Sequence, residues 1–291
     1  MDLIIKSEMQ GMTVKEILYS ILHLSHGQVT ALKKNEEGII LNGERVTVVC
    51  RVVQGDILTL ALEDKDGDVN SDIEPVNIPI DILYEDDSIV CVNKPSGMPT
   101  HPSHGHHYDT LANALCYYYK EKGRAFVFRA VNRLDSETSG VVLIAKDRHS
   151  AFVLGKALQR GGFQKEYYAL LEGELMKDGI IESYIKRRTD SIIFRCSEKE
   201  GIPSEYAKTE YKVLCRKKGN TLVKAMPYTG RTHQLRVHFS SAGYPIKGDS
   251  LYGNADDRLM LHAFSLSFNH PVTGQRLSVT ADAPEVFSDY L

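Results

Sequence analysis

The apolar residues at the start of the chain recur at a helical spacing. They predict a helix over residues 13–24, opened by a capping box of Thr13 and Glu16. Its apolar face would consist of Val14, Ile17, Leu18, Ile21 and Leu22. A helix with one apolar face needs a partner to cover that face, so the region is expected to fold as a small packed unit.

Behind this helix, the pattern predicts a second short helix and then a hairpin. Ser25 and Gln28 suggest a second cap, opening a helix that runs toward Lys34. Short apolar runs then predict strands at 39–41, 46–49 and 57–62, with turns at Asn42-Gly43 and Gly55-Asp56. Residues 1–62 are therefore predicted to form a small α/β module.

The pattern changes after this module. Residues 63–79 are acidic, polar and interrupted by proline, which indicates a linker. Beyond them, helices are predicted over 110–122, 148–160 and 232–242, and strands over 88–92, 141–145, 167–171, 222–225, 265–268 and 277–280. This spacing is too irregular for a βαβ array. Residues 80–291 are predicted to be an α+β domain with a mixed, largely antiparallel sheet.

Composition narrows the class of protein. The chain has 291 residues, of which 42% are hydrophobic and 25% charged, which suits a globular protein of two domains. No apolar run approaches the ~20 residues of a membrane helix, and the start lacks the features of a signal peptide. The five cysteines are scattered and never in C-x-x-C spacing, which argues against disulfides and zinc. These features predict a cytoplasmic protein that binds no membrane.

Charge is unevenly distributed behind a net value of −3. Residues 61–90 hold ten acidic residues and one lysine, whereas residues 208–247 hold nine lysines and arginines against Glu210. A local excess of positive charge can bind a phosphate backbone. A solvated basic face without a partner is the alternative, and the charge run alone does not separate the two.

Four segments carry specific motifs. They are ILYEDDSIVCVNKPSGMPTHPS (82–103), VNRLDSETSG (131–140), KEYYA (165–169) and YTGRTHQLRVHFSSAGYPIKGDSLYG (228–253). In this order they resemble the RluA-type pseudouridine synthases, which isomerise uridine to pseudouridine in structured RNA. The resemblance runs from about residue 82 to 284. More weakly, the N-terminal module resembles the small RNA-binding domain named after ribosomal protein S-four.

The chemistry that this resemblance implies needs a carboxylate. The C1′–N1 bond of uridine breaks, the uracil rotates, and C5 joins C1′; since nothing is oxidised, gained or lost, no cofactor is expected. A carboxylate near the ribose either attacks as a nucleophile or assists glycal formation. The resemblance assigns this role to Asp135. The alternative is that Asp135 merely caps the turn before the strand at 141–145.

The resemblance also supplies two further catalytic residues. A desolvated carboxylate needs a cationic neighbour to stay ionised, and the family provides it at the position of Arg236. Tyr167 matches the active-site tyrosine, which can stack on uracil and take part in moving the C5 proton. Its neighbour Tyr168 would point to the opposite face of a strand.

Arg133 is implied to open the RNA stack. A base in folded RNA must be extruded before a side chain reaches its C1′, and a planar guanidinium can fill the vacated space. The residues expected to bind substrate are Arg133, Lys165, Arg231, His233, Gln234 and Leu261. Of these, Leu261 would form an apolar wall of the uracil pocket, or is simply a core leucine.

Two positions depart from the family pattern, which usually reads H-R-L-D-R-x-T-S-G. Asn132 replaces the histidine and Ser136 the second arginine, so one basic RNA contact is expected to be lost. The cluster His101, His104, His106 and His107 lacks a recognised metal spacing, and no metal site is predicted. A loop near the RNA is its more natural use.

Two other functions compete with a synthase. An RNA chaperone or assembly factor could use the same fold, although a pure binder would not need Asp135, Tyr167 and Arg236 together. A glycosidase would need two opposed carboxylates, and only Asp135 lies in a convincing motif. The expected partner is ribosomal large-subunit RNA, with transfer RNA as the alternative, and the protein is expected to act as a monomer.

Overall fold

The N-terminal part of the chain folds around a small sheet of its own. The computed structural model describes residues 1–22, 24, 26–61, 72–191 and 193–291. The first four strands are β1 (Asp2–Ile4), β2 (Ile39–Leu41), β3 (Glu44–Arg45) and β4 (Ile57–Leu60). They form an antiparallel sheet of order β1-β4-β2-β3. Among the described residues, their core draws on this part of the chain alone, including Val14, Leu18, Leu32 and Leu58.

Helix α1 (Val14–Glu16) begins as predicted. The Thr13 hydroxyl accepts from the Glu16 N–H at 3.2 Å, and the Glu16 carboxylate accepts from the Thr13 N–H at 2.7 Å. The predicted capping box is therefore confirmed. Helix α2 spans His26–Lys34, whereas Ser25 of the second predicted cap lies outside the described residues.

The first helix does not continue regularly to residue 24. Over Ile17–Ile21 it widens into a π-helical turn, closed by the Leu22 N–H on the Ile17 carbonyl at 2.9 Å. Because this turn holds one extra residue, Leu22 rather than Ile21 lies over Ile17. Leu22 is buried and Ile21 is 39% exposed, so the prediction that Ile21 shares the apolar face is wrong.

The hairpin also differs from its prediction. Asn42 and Gly43 both have positive φ, 51° and 87°, as a two-residue hairpin turn requires. Such a turn makes pairing start at once, so β3 occupies Glu44–Arg45. The predicted strand over 46–49 is wrong, since the chain leaves the sheet there.

The second part of the chain is built on a ten-stranded sheet. Its strands are β5 (Asp81–Glu85), β6 (Ile89–Lys94), β7 (Ser139–Ala145), β8 (Gln164–Glu172), β9 (Gly179–Arg187), β10 (Arg195–Glu198), β11 (Tyr206–Lys217), β12 (Asn220–Pro227), β13 (Leu261–Asn269) and β14 (Arg276–Thr280). The order is β10-β9-β11-β12-β8-β13-β7-β6-β5, and β14 pairs with β13. Of the described ladders, β7–β13 alone is parallel. The predicted mixed, largely antiparallel α+β fold is confirmed.

Three helices cover this sheet: α3 (Leu111–Glu121), α4 (Arg148–Gln159) and α5 (Gln234–Ser241). Alternate residues of β6 serve opposite faces, so Val90 packs in the core under α3 and Cys91 in the core that includes Leu154 of α4. Helix α5 covers a third core. No helix in the described ranges has the length and apolar character to cross a bilayer.

The close approach of the paired strands β7 and β13 explains the glycine of the Thr-Ser-Gly sequence at 138–140. Gly140 has a φ of 119°, and a Cβ there would lie 2.2 Å from the Ala263 carbonyl oxygen. A side chain would force the two parallel strands apart. The lack of a side chain at Gly140 therefore allows β7 to pair with β13 at its first residues, directly after the loop that carries Asp135.

Candidate active site

The three residues predicted to be catalytic meet beside α5. Asp135 lies in the loop before β7, Tyr167 on β8, and Arg236 in the first turn of α5. Oδ2 of Asp135 is 3.8 Å from Nη1 of Arg236. Burial, and then the nearby charge of Asp135, raise the pKa of the Tyr167 phenol. Tyr167 is therefore a neutral hydrogen-bond donor next to a carboxylate.

The loop that carries Asp135 is held through its backbone. Four successive carbonyl oxygens accept hydrogen bonds. They are those of Leu134 from the Thr100 hydroxyl, Asp135 from the Thr138 N–H, Ser136 from the Gly97 N–H and the Lys94 ammonium, and Glu137 from the Ser96 hydroxyl. Since every carbonyl has its partner, the backbone is fixed and the Asp135 side chain is the part left free to move.

Lys94 ties this loop to the turn that follows β6. The side chain is fully buried, and Nζ donates to the carbonyls of Pro95 at 2.9 Å, Met98 at 2.6 Å and Ser136 at 3.0 Å. Burial lowers the pKa of Lys94 to about 7, while Asp135 acts in the opposite direction. Three carbonyl acceptors also favour the charged ammonium, which has three protons to donate.

Arg236 is bound more closely by two other carboxylates than by Asp135. Asp249, itself fully buried, accepts from Nε at 2.9 Å and from Nη2 at 2.7 Å, and Glu137 lies 2.8 Å from Nη2. Burial alone would lower the pKa of Arg236, but Asp249, Asp135 and Glu137 outweigh it and raise the pKa. Arg236 is thus a permanent charge. The expected simple pair with Asp135 is part of a larger cluster.

The Asp135 side chain is open to a substrate. It is 31% exposed, and no hydrogen bond reaches its carboxylate from the described part of the chain. Besides Arg236, its nearest charged or chargeable neighbour is Nε2 of His233 at 4.0 Å. A carboxylate near two donors, yet bonded to neither, can turn toward a bound ribose.

Lys165 and Arg231 flank the turn that leads into α5. Nζ of Lys165 donates to the Thr229 carbonyl at 3.2 Å, and Nε of Arg231 donates to the Tyr206 carbonyl at 3.0 Å. Burial, and then the charge of Arg231, lower the pKa of Lys165. The two predicted substrate-binding cations therefore lie close to each other, on one side of the site.

Gln234 has a structural task instead of its predicted contact with RNA. Its Oε1 accepts from the Thr229 hydroxyl at 2.7 Å and the Arg231 N–H at 3.0 Å. Its Nε2 donates to the Lys208 carbonyl and the Thr209 hydroxyl, both at 3.0 Å. A side chain that is 5% exposed, with all four hydrogen bonds made, has none left for a substrate. We therefore correct this prediction.

Leu261 and Arg133 occupy opposite environments. Leu261 is buried in the core that α5 covers. It pairs with Ala169, which lies on the same face of β8 as Tyr167. The alternative interpretation of Leu261 as a core leucine therefore agrees with the structure. Arg133 is exposed. Burial, and then the charge of Arg133, lower the pKa of His101. Arg133 is thus at the surface, two residues from Asp135.

The two departures from the family pattern lie in structural positions. The Asn132 amide donates to the Val141 carbonyl at 3.2 Å and accepts from the Leu143 N–H at 2.8 Å, which ties it to β7. The Ser136 hydroxyl donates to the Gly97 carbonyl at 3.2 Å. Asn132 and Ser136 therefore both brace the loop, and the expected loss of one basic RNA contact stays a prediction.

The basic run at 208–247 is largely paired within the protein. Four of its lysines form ion pairs: Lys208 with Glu182, Lys218 with Asp289, Lys224 with Glu166, and Lys247 with Asp256. Arg236 is buried, and Arg216 donates to the carbonyls of Leu175 and Met176. This run is thus not one free basic surface for RNA, and the alternative of a solvated, locally paired face fits better.

The histidine cluster forms a loop after the Lys94 turn. Nδ1 of His106 lies 2.7 Å from Oδ2 of Asp109, and Ser103 and His106 pair as an isolated bridge. Within the described residues, no group of three or more His, Cys, Asp and Glu side chains is placed to hold a metal ion.

Comparison with known proteins identifies the family. A model described as RNA pseudouridylate synthase matches residues 88–241, more than half of the chain. The chain belongs to this family. The uncharacterized RNA pseudouridine synthase YjbO of Bacillus subtilis is 35% identical over 281 residues, covering 95% of this chain and 97% of that protein. The prediction of an RNA pseudouridine synthase is confirmed.

Two further relatives agree with the predicted type. Ribosomal large subunit pseudouridine synthase D of Vibrio parahaemolyticus is 33% identical over 263 residues, covering 84% of this chain and 79% of that protein. The structure of human RNA pseudouridylate synthase domain containing 1 is similar with a TM-score of 0.60 and 28% identity, covering 72% of this chain and 86% of that one. The RluA-type resemblance is thus confirmed. The family model does not include the N-terminal module, whose likeness to the S-four type stays a prediction.

Three site residues were not recognised from the sequence. Asp249 and Tyr252 lie at the end of the fourth motif segment, in GDSLYG (248–253), which shows that they belong to the motif but not which residues they contact. Tyr252 bonds Nδ1 of His233 at 2.8 Å, and Asp249 holds Arg236. Glu137 carried no signal of its own, because it falls on the unspecified position x of the family pattern H-R-L-D-R-x-T-S-G.

Proposed function

We propose that this synthase isomerises specific uridines in structured ribosomal large-subunit RNA, with Asp135 as the carboxylate that acts on the ribose. The observation that supports this most is the position of Asp135, on a fully bonded loop between Arg236 and Tyr167. A fixed backbone with a mobile, accessible carboxylate is what an attack on a bound sugar requires. The protein is proposed to act as a monomer in the cytoplasm.

The proposed reaction uses the residues of this chain alone. Asp135 attacks C1′ as the C1′–N1 bond breaks, or assists formation of a glycal. The freed uracil rotates, and C5 then bonds C1′ while Asp135 is released unchanged. The positive charge of Arg236 stabilises the ionised form of the Asp135 carboxylate. Tyr167, neutral because burial raises its pKa, contacts the uracil and takes part in moving the proton from C5 after reattachment. Lys165 and Arg231 are proposed to contact the RNA around the uridine.

The choice of RNA rests on the names of relatives. Several relatives are named ribosomal large subunit pseudouridine synthases, among them that of Vibrio parahaemolyticus. We therefore expect that a strain lacking the protein loses pseudouridine at one or a few positions of large-subunit RNA. Transcriptome-wide pseudouridine mapping in that strain tests this. Losses confined to transfer RNA would overturn the ribosomal assignment, and unchanged maps would overturn the activity.

Arg133 is proposed to fill the space of the flipped base. Unstacking a base costs a few kcal/mol, so Arg133→Ala should slow the reaction on a folded stem-loop by roughly a hundredfold, and much less on an unstructured strand. Arg133→Lys restores charge but not planarity and should rescue only partly. Single-turnover rates on the two RNAs are the measurement.

The control for that experiment is Arg124→Ala, which removes an exposed arginine just beyond α3. It should react at the wild-type rate on both RNAs. If Arg133 only contacts phosphate, Arg133→Ala will lower the single-turnover rate equally on both RNAs, and Arg133→Lys will restore most of that rate. That result would exclude the stacking role.

The N-terminal module is proposed to add RNA affinity. Its core contains no described residue beyond Leu60, so removing residues 1–70 should leave a folded catalytic domain. We expect this truncated protein to stay active on a short RNA and to bind its large RNA substrate several-fold more weakly. Filter binding and single-turnover assays check both. An insoluble product, or unchanged affinity for the large RNA, would show that the module is not a separate RNA-binding unit.

A further inference from the structure

The hydroxyl of Tyr252 lies between a backbone donor and the ring of His233. The backbone N–H of Arg195 donates to this oxygen at 2.9 Å, and a backbone N–H cannot accept in return. The phenol has a single proton, and Nδ1 of His233 lies 2.8 Å from the oxygen. The Arg195 N–H takes one acceptor site of the phenol oxygen, which leaves the proton of Tyr252 free to point at Nδ1 of His233.

When Nδ1 accepts from Tyr252, the role of the other nitrogen of the same ring is set as well. In a neutral imidazole one nitrogen accepts and the other carries the proton, so Nε2 of His233 is the donor. A neutral ring fits this place: burial lowers the pKa of His233, and Arg236 and Arg195 lower it further, while Asp135 acts in the opposite direction. The donor Nε2 lies 4.0 Å from Oδ2 of Asp135.

The position of His233 is imposed by the backbone. Its φ is +57°, a left-handed conformation that is uncommon for a residue with a side chain. The residue precedes α5 at the N-terminal cap, yet its side chain makes no capping hydrogen bond. The ring is instead held edge to face against Tyr252, with 5.6 Å between centroids. The strained backbone thus aims the ring into the site.

We propose that Tyr252 and His233 form a positioning pair for Asp135. Tyr252 holds His233 in the Nε2–H tautomer, and this N–H bonds Oδ2 of Asp135 when the uridine is bound, so that Oδ1 is turned toward the ribose. A small rotation of the Asp135 side chain closes the gap, and catalytic hydrogen bonds often tighten only in the substrate complex. The inference rests on the proposed role of Asp135.

The pair supplies a hydrogen-bond donor for the Asp135 carboxylate, which Arg236 does not. Nη2 of Arg236 is shared by Asp249 and Glu137, and Nη1 remains 3.8 Å from Asp135. A neutral N–H donor can orient a carboxylate without a second full positive charge beside Arg236. Tyr252 also serves the arginine, whose Cζ lies 5.5 Å from the centre of the Tyr252 ring. Tyr252 therefore contacts both groups that face Asp135.

The tautomer can be measured without any activity. Protein labelled with ¹⁵N-histidine should show His233, identified by its absence in His233→Gln, as an Nε2–H ring in the full-length wild type. Tyr252→Phe removes the proton that Nδ1 accepts, so the His233 signals should move toward a mixture of tautomers. Tyr84→Phe, on β5, removes a hydroxyl that donates to Asp86 and should leave the His233 signals unchanged. An unchanged His233 tautomer in Tyr252→Phe would overturn the pair.

The rate test separates this pair from a merely structural contact. Tyr252→Phe and His233→Gln should each lower the single-turnover rate roughly ten- to a hundredfold, the value of a hydrogen bond to a charged group, with little change in RNA affinity. The double variant should lose no more than the worse single one, because both act through one bond. Wild-type rates in either variant would overturn the role. If the wild type itself forms no pseudouridine, the proposed function fails, while the tautomer measurement still decides the pair.

Discussion

Asp135→Asn is expected to abolish pseudouridine formation while RNA binding is kept. The substitution preserves the size of the side chain but removes the negative charge and the nucleophilic oxygen. Loss of an acting nucleophile typically costs at least about a thousandfold in rate. Since the Asp135 side chain is 31% exposed and its carboxylate accepts no hydrogen bond from the described residues, folding should be unaffected. Single-turnover assays and RNA-binding titrations of the purified variant are the measurements.

Glu137→Gln is the informative control for this experiment. Glu137 is two residues away and lies closer to Arg236, at 2.8 Å, than Asp135 does. If the site needed only negative charge around the arginine, Glu137→Gln would be as damaging as Asp135→Asn. We expect Glu137→Gln to lower the single-turnover rate far less than Asp135→Asn does. Measurable pseudouridine from pure Asp135→Asn protein would contradict the assignment of Asp135.

The strands that the sequence predicted well are short and apolar. Strands β6 and β7 are covered on both faces, so their residues form unbroken hydrophobic runs that stand out. Strands β9 and β11 were not predicted. Strand β11 alternates buried Ala207 and Thr209 with exposed or half-buried lysines, and its charges were read as a basic segment. Pairing on both sides by β9 and β12 stabilises it, and such pairing is not local information.

The irregular parts of the N-terminal module have a similar origin. The capping box was predictable because Thr13 and Glu16 interact within one turn. The π-helical turn over Ile17–Ile21 was not, since the apolar spacing of the sequence fits an ordinary helix equally well. Burial of Leu22 and Leu24 in the module core selects the wider turn. Local signals thus gave the start of the helix, and tertiary packing decided its course.

At the site, motifs gave the residues but not their network. Asp135, Tyr167 and Arg236 were recognised from three separate segments, and the structure brings them together. The direct partners of Arg236 were not recognised, because a carboxylate in a loop reads equally as a turn residue or an ion-pair partner. Gln234 shows the opposite error: a motif position suggested substrate binding, whereas all its hydrogen bonds are internal.

The largest effect on stability is expected from Asp249→Ala. Asp249 is fully buried and bonds Nε and Nη2 of Arg236 at 2.9 and 2.7 Å. Its Oδ1 also accepts from the backbone N–H groups of Leu251 and Tyr252, so it shapes the turn that presents Tyr252. Removing one member of a buried ion pair leaves an uncompensated charge and typically costs 3–5 kcal/mol. Because Glu137 still pairs with Arg236, we expect the lower end, about 3 kcal/mol.

Asp249→Ala should lower both the unfolding free energy of the catalytic domain and its rate of pseudouridine formation. Hydrogen exchange of the β8 and β12 amides reports the unfolding free energy of that domain alone. The matched control is Asp256→Ala, which removes a half-exposed partner of Lys247 at 3.7 Å and should change little, as surface ion pairs do. Without Asp249, Arg236 is no longer fixed opposite Asp135 and the turn that carries Tyr252 loosens, so the single-turnover rate should fall even where the domain remains folded. If Asp249→Ala has wild-type exchange and a wild-type rate, Arg236 is positioned by Glu137 alone, and the buried pair is not what holds the site together.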